Sequence, residues 1–303
     1  MPNGILCCLP ISLLFLIAQS EGSFPNTYFP RCTSAGLTDD FELSTKEGAI
    51  RGVCNNVTIN YRDKPRVYKP VLTWLSVPYA EPPVGANRFK SPSAKKPWNS
   101  TLDGTRWPDA CIQHLENGVI IPPAFPQFEP ELSTSDSIRK VNQSEDCLYL
   151  NIFAPAQAYE KSWRAPILVW IHGGFFTSGF GSDVSFEPST VVAMSDIIVI
   201  TINYRVGLFG FLQMSGTDAA GNQGFLDQVL ALKWIQENAA SFGGDASRVT
   251  ISGQSAGSWS VGYHLLHTPS WPLFRNGILH SGSPLMVSLF FLYFVYHCIL
   301  NEI

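Results

Sequence analysis

The chain has 303 residues, of which 45% are hydrophobic and 15% charged, with 24 Gly and 22 Pro. Intrinsic disorder, which needs low hydrophobicity and high charge, is excluded, and the length allows a large core in one or two domains. Net charge is −4 and no long basic run occurs, so nucleic acid is not an expected partner.

In chain order, residues 1–20 carry no charged side chain, and Ile5 to Ala18 is mostly apolar. Ala18 and Ser20 fit an A-x-S cleavage site, which makes residues 1–20 a secretory signal peptide and predicts a secreted protein. The run is shorter than the ~20 residues a membrane span needs, so membrane association is not expected. Three sequons agree with the secretory route: Asn56-Val57-Thr58, Asn99-Ser100-Thr101 and Asn142-Gln143-Ser144. Of seven cysteines, Cys7 and Cys8 leave with the signal. Cys32, Cys54, Cys111, Cys147 and Cys298 remain, an odd number, and two disulfides among four of them have three possible connectivities. No C-x-x-C pair suggests a zinc ribbon or a thioredoxin-type centre.

Residues 21–48 are polar and turn-rich and predict an irregular entry. Residues 49–110 hold proline-rich turns such as Val77-Pro78-Tyr79-Ala80-Glu81-Pro82-Pro83, which suit edge strands and turns. Residues 112–144 show no periodicity, and a loop that long is functional or tied down. The pattern then changes. Leu148–Phe153 reads as a strand, and Ile167–Ile171 and Ile197–Ile202 are continuous apolar runs rich in β-branched residues, of the kind that form strands covered on both faces. Between Phe225 and Asn238 the apolar residues Leu226, Val229, Leu230, Leu232, Trp234 and Ile235 recur at helical spacing, and Ser241-Phe242-Gly243-Gly244 stops them. Arg248–Ser252 is the next strand. Alternating strands and helices predict an α/β fold with a mostly parallel sheet.

Directly after that strand comes Gly253-Gln254-Ser255-Ala256-Gly257, a G-x-S-x-G in the strand-to-helix setting of a nucleophile elbow. The two glycines let strand and helix approach without Cβ clashes. The helix start aims backbone N–H groups and a positive dipole end at a developing oxyanion. Earlier, His172-Gly173-Gly174-Phe175-Phe176 follows a predicted strand, as an oxyanion loop does, and its donors would join the N–H of Ala256. Taken singly, each motif is also what a glycine-rich turn gives. Their order is the one an α/β-hydrolase scaffold needs.

Phe242–Gly257 resembles the active-serine segment of the type-B carboxylesterase/cholinesterase family, and Glu145–Pro155 is similar to its second signature. Val77–Gly85, Asn203-Tyr204-Arg205 and Gly221–Gln228 are also similar, and the likeness runs over about residues 45–285. The resemblance implies the N-terminal part of an α/β-hydrolase fold, a mostly parallel twisted sheet with helices on both faces. With the N-terminal pattern and the end of the likeness, the chain is expected to divide into a signal peptide (1–20), a partial carboxylesterase domain (21–284) and an apolar tail of unknown origin (285–303). The resemblance makes Ser255 the nucleophile acting on a small-molecule ester, with no cofactor and no metal, and the N–H groups of Gly173, Gly174, Phe175 and Ala256 the oxyanion hole. It implies a Cys111–Cys147 disulfide, leaving Cys32 and Cys54 for an extra bridge and Cys298 unpaired. It also implies buried ion pairs Arg88–Glu145 and Arg205–Asp227.

The sequence departs from the family in four places. Phe175 stands where the family has a third glycine; its backbone N–H survives, and its side chain is expected to narrow the acyl site or tilt that donor, giving a variant hole for smaller acyl groups. Ser137 replaces the tryptophan that stacks on a quaternary ammonium, and Gln254 replaces a glutamate, so choline esters are not favoured. No residue between Ser255 and Ile303 matches the family's acid or base. His264 and His267 fall in the helix expected after the elbow, His280 in a loop, and Glu302 is the tail's acid. Without a base the serine hydroxyl is a poor nucleophile, so this chain by itself is expected to be inactive. The alternative is a non-catalytic adhesion or binding protein with a protein partner. His264-x-x-His267 has metal spacing but no visible third ligand. Finally, the likeness ends at Leu285, where an aromatic-rich run to Leu300 begins. A translated non-coding segment, a packed terminal element and an anchor all fit that run, and the elbow strand is expected to lie at the sheet edge.

Overall fold

The computed structural model describes residues 40–59, 67–114, 142–159, 163–183, 186 and 188–285. The expected signal peptide, Cys32, Ser137, Cys298, His297, Glu302 and nearly all of the apolar tail lie outside them. The strands are β1 (Asp40–Ser44), β2 (Ala49–Ile59), β3 (Val67–Pro78), β4 (Leu102–Asp103), β5 (Ala110–Cys111), β6 (Gln143–Ser144), β7 (Tyr149–Pro155) and β8 (Ala165–Ile171). Helix α1 (Ser189–Ser195), β9 (Ile198–Ile202), α2 (Gly207–Phe211), α3 (Gln223–Asn238), β10 (Gly244–Gln254), α4 (Ala256–Leu266) and β11 (Asn276–His280) follow.

One mixed sheet runs β1-β2-β3-β7-β9-β8-β10-β11, with β4 beside β2. Its first half pairs antiparallel, while β9, β8, β10 and β11 run parallel. The parallel half follows from sequence: β8, β9 and β10 are joined through helices, as parallel neighbours require. All five residues of β9 are buried. Ile198, Ile200 and Ile202 enter a core shared with Leu232 and Ile235 of α3 and Val261 of α4. Val199 points the other way, into a smaller core with Val192 and Ala193 of α1. Helices therefore cover both faces, and each fully buried Ile or Val contributes about 1.5–3 kcal/mol.

Two expectations about chain ends are corrected. Residues 40–44 are not irregular; Asp40–Ser44 pairs with Ala49–Val53. Phe41 and Leu43 alternate inward, 3% and 2% exposed, so a two-residue period overrides the polar neighbours. The elbow strand β10 is not an edge either. Leu279 and His280 are strand, not loop, and β11 pairs with Thr250–Gln254, which makes β11 the outer strand among the described residues.

The long aperiodic stretch is tied at its ends. Ala110–Cys111 pairs with Gln143–Ser144, and Cys111 and Cys147 form a disulfide. Cys54 is also disulfide-bonded; the expected partner, Cys32, is outside the described residues.

Of the two expected buried ion pairs, one is buried. Arg205 donates to Asp227 from Nε at 2.8 Å and from Nη2 at 2.7 Å, with side chains 3% and 0% exposed. Its Nη1 donates to the Lys90 carbonyl at 2.8 Å, so it joins the segment after β9, the N-terminal half of α3 and the loop after β3. Arg88–Glu145 is bidentate but half-exposed, 43% and 23%, because Arg88 closes a surface turn. Solvent screens it and it contributes little. Replacing Arg205 by Ala leaves the Asp227 carboxylate buried without its partner. Chemical denaturation is expected to show a loss of about 3–5 kcal/mol, whereas Arg88→Ala is expected to leave the midpoint nearly unchanged.

Candidate active site

Strands β8 and β10 are parallel neighbours in the register Trp170↔Ser252 and Ile171↔Gly253. They end together, so His172–Gly174 and Ser255 leave the sheet side by side at its carboxyl edge. In open α/β sheets that edge is where ligands bind.

Ser255 joins β10 to α4 in a conformation of φ 55° and ψ −122°. An L-residue there is strained by about 1–3 kcal/mol. Packing holds it. A Cβ on Gly257 would meet the carbonyls of Ile171 and His172, and one on Gly253 would meet the backbone of Gly257, so only glycine lets strand and helix close this far. Hydrogen bonds fix the rest. The Ser255 N–H donates to His280 O at 3.0 Å, and Trp259 N–H donates to Ser255 O at 3.0 Å. Ser258 Oγ donates to Gly282 O at 3.0 Å.

The glycine loop lies against this bend. A Cβ on Gly173 would fall 2.7 Å from Gln254 O and 3.2 Å from Ser255 Cβ. Gly174 O accepts from Thr177 N–H at 2.9 Å, closing a turn whose two central residues, Phe175 (φ 54°) and Phe176 (φ 61°), both have positive φ. Type I′ turns have that arrangement, and Asn or Gly normally fills it. Here ring contacts secure it. Phe175 meets Trp259 edge-on at 5.7 Å, and Phe176 packs on Trp259 at 5.9 Å and Phe211 at 5.1 Å. The backbone N–H groups of Gly173, Gly174 and Ala256 donate no loop or cap hydrogen bond among the described residues. They remain open to a ligand.

His172 anchors the loop from below. It is 5% exposed and stacks on Tyr204 at 4.2 Å, while its Nδ1 donates to Gly173 O at 2.9 Å. Tyr204 Oη donates to His172 O at 2.9 Å. Burial pushes the His172 pKa down to about 4, so the ring is neutral at pH 7.

Among the described residues nothing hydrogen-bonds the Ser255 hydroxyl. The downstream histidines face elsewhere. His280 Nε2 lies 3.0 Å from Ser252 Oγ. His264 and His267 each place Nδ1 on Ser270 Oγ, at 2.9 and 2.8 Å, and His267 caps α4 rather than lying inside it. No cluster of three metal-ligating side chains occurs among the described residues. Gln254 is exposed and neutral, Asn99 and Asn142 are exposed, and Asn56 is half-buried in β2. Sequence reasoning missed the contributions of Trp259 and Gly282, which carry no motif and matter only through packing.

A strand–serine–helix bend facing a glycine loop, on a sheet of this order, is the frame of an α/β-hydrolase. The profile of the family described as "Carboxylesterase family" matches residues 39–290. An acylcarnitine hydrolase of Mus musculus is 43% identical over 219 residues, covering 72% of this chain and 37% of that protein. An acetylcholinesterase of Bungarus fasciatus is 40% identical over 258 residues, covering 84% of this chain and 39% of that protein. A pyrethroid hydrolase Ces2e of Rattus norvegicus is 41% identical over 219 residues, covering 72% and 36%. The chain belongs to the carboxylesterase family. It spans under two fifths of the length of these relatives.

Backbone strain at Ser255 makes a stability test possible. Both Ser255→Ala and Ser255→Gly remove the hydroxyl, but glycine alone relaxes the backbone. Denaturant unfolding is expected to place the Ser255→Gly variant about 1 kcal/mol above Ser255→Ala.

Proposed function

We propose that the full-length protein is a carboxylic ester hydrolase in which Ser255 is the nucleophile. Ser255 Oγ attacks the ester carbonyl carbon and passes its proton to a base. The carbonyl electron pair moves to oxygen, which the N–H groups of Gly173, Gly174, Phe175 and Ala256 receive. Collapse of the tetrahedral intermediate expels the alcohol and leaves an acyl-serine, which water then hydrolyses. The observation that carries this reading is the strained Ser255 beside a loop whose Gly173 and Gly174 N–H groups donate no hydrogen bond among the described residues. Backbone strain of this kind clusters at functional sites, and here it sits beside open donors.

The base and its acid are placed outside the described residues, since every described histidine near the elbow is engaged elsewhere. Residues 40–285 alone are therefore expected not to turn an ester over. That no described histidine meets Ser255 is also what favours the alternative, a non-catalytic binding protein; the kept serine favours the hydrolase. Secretion is part of the proposal. A disulfide persists in an oxidising compartment, the sequons at Asn99 and Asn142 are accessible, and no helix among the described residues is long and apolar enough to cross a membrane. The proposed divisions are residues 1–20, 21–284 and 285–303. Neutral esters suit the site better than choline esters, because Gln254 brings no negative charge to the bend.

An alkyl fluorophosphonate probe on the full-length protein is expected to add to Ser255, read by peptide mass spectrometry, and not to the Ser255→Ala variant. A full-length protein that takes no label overturns the esterase and leaves the binding protein. The acyl side is tested with p-nitrophenyl esters of increasing chain length. Wild type is expected to prefer short acyl groups, and Phe175→Gly to shift the kcat/KM optimum to longer chains by about tenfold in relative preference.

A further inference from the structure

Behind the elbow helix a row of buried polar side chains makes unbroken contact. From the Ala256 end, Ser260 Oγ lies 3.1 Å from Ala256 O, Gln228 Nε2 lies 3.1 Å from Ser260 Oγ, and His264 Nε2 lies 3.1 Å from Gln228 Oε1. Ser270 Oγ then bridges His264 Nδ1 and His267 Nδ1. Ser260, Gln228, His264 and Ser270 are each fully buried, and His267 is half-buried.

Donor and acceptor chemistry gives the row one direction. A carbonyl only accepts, so Ser260 spends its proton on Ala256 O and must accept from Gln228. Gln228 therefore turns its NH2 to Ser260 and its oxygen to His264. That oxygen takes a proton from His264 Nε2, which leaves Nδ1 of the neutral ring as an acceptor for the Ser270 hydroxyl. Ser270 in turn accepts from His267 Nδ1–H. Every hydrogen points from His267 towards the first turn of α4. Phe225 walls the row, stacked on His264 at 4.5 Å and edge-on to His267 at 5.4 Å.

We infer that His267, Ser270, His264, Gln228 and Ser260 form one directed hydrogen-bond chain that fixes the first turn of α4, and that Gln228, His264 and Ser260 are positioning residues for Ser255. The inference rests on the hydrolase reading for its functional half. Ala256 N–H belongs to the proposed oxyanion hole, and Ser255 keeps its strained backbone only while the turn after it stays in place. Small displacements of that donor cost rate without touching the binding of substrate.

The test has two arms on the full-length protein. Nitrogen-15 NMR of histidine-labelled, unliganded protein is expected to find His264 with its proton on Nε2 and His267 with one on Nδ1. A His264 carrying its proton on Nδ1 overturns the chain, whether or not the protein is an esterase. The second arm uses two variants that lose the same bond. Ser260→Ala removes the donor to Ala256 O, and the carboxylate introduced by Gln228→Glu draws the Ser260 proton away from it. Each is expected to lower kcat about tenfold with KM within about twofold, and the double variant to fall no lower than either. Ser260→Thr, which keeps a hydroxyl, is expected to retain kcat. A protein that labels at Ser255 yet shows unchanged kcat in both variants overturns the positioning role alone. A protein that does not label overturns the hydrolase reading and the positioning role together.

Discussion

The site depends on a close approach that excludes any Cβ. Gly257 sits against the carbonyls of Ile171 and His172, and Gly253 against Gly257, so α4 packs directly on the ends of β10 and β8. With that distance fixed, the single residue left to bridge strand and helix has no relaxed conformation available. Ser255 takes φ 55° because its neighbours leave nothing else. The rest follows in order: the helix start is beside the glycine loop, the Gly173 and Gly174 N–H groups donate no loop hydrogen bond among the described residues, and the hydroxyl stands clear of described partners.

The same economy governs the support around it. β9 feeds both cores, and the residues that follow it leave the sheet as Asn203-Tyr204-Arg205. Asn203 accepts from Gly181 N–H at 2.7 Å and donates to Asp109 O at 3.0 Å, Tyr204 holds His172, and Arg205 holds Asp227. Three consecutive side chains thus tie the glycine loop, the segment leading into Cys111 and α3 to one strand end. Asp227 is pushed towards the neutral form by burial and drawn back by Arg205, a balance that works only while the pair stays together.

Much of this was legible before any coordinates. Continuous β-branched runs marked β8 and β9, the Leu148–Phe153 strand reading marked β7, helical spacing marked α3, and G-x-S-x-G after a strand marked the bend, because each signal is local. What escaped was long-range. Asp40–Ser44 reads as polar until β2 supplies a partner for Phe41 and Leu43. His280 reads as loop until β10 supplies a ladder. Arg88 and Glu145 matched a family pair, yet burial is a property of surroundings that spacing does not carry, and the two stay half in water. The paired phenylalanines at positive φ had no sequence signal at all; their conformation is set by Trp259 and Phe211.

The bend at Ser255 is also not a local motif in time. Its N–H is held by His280 O, and Gly282 packs against Ser255 O and Trp259, so residues synthesised after the helix complete it. During synthesis the serine segment emerges before the strand that holds it, so the contacts that fix its shape cannot all be in place until β11 has been made.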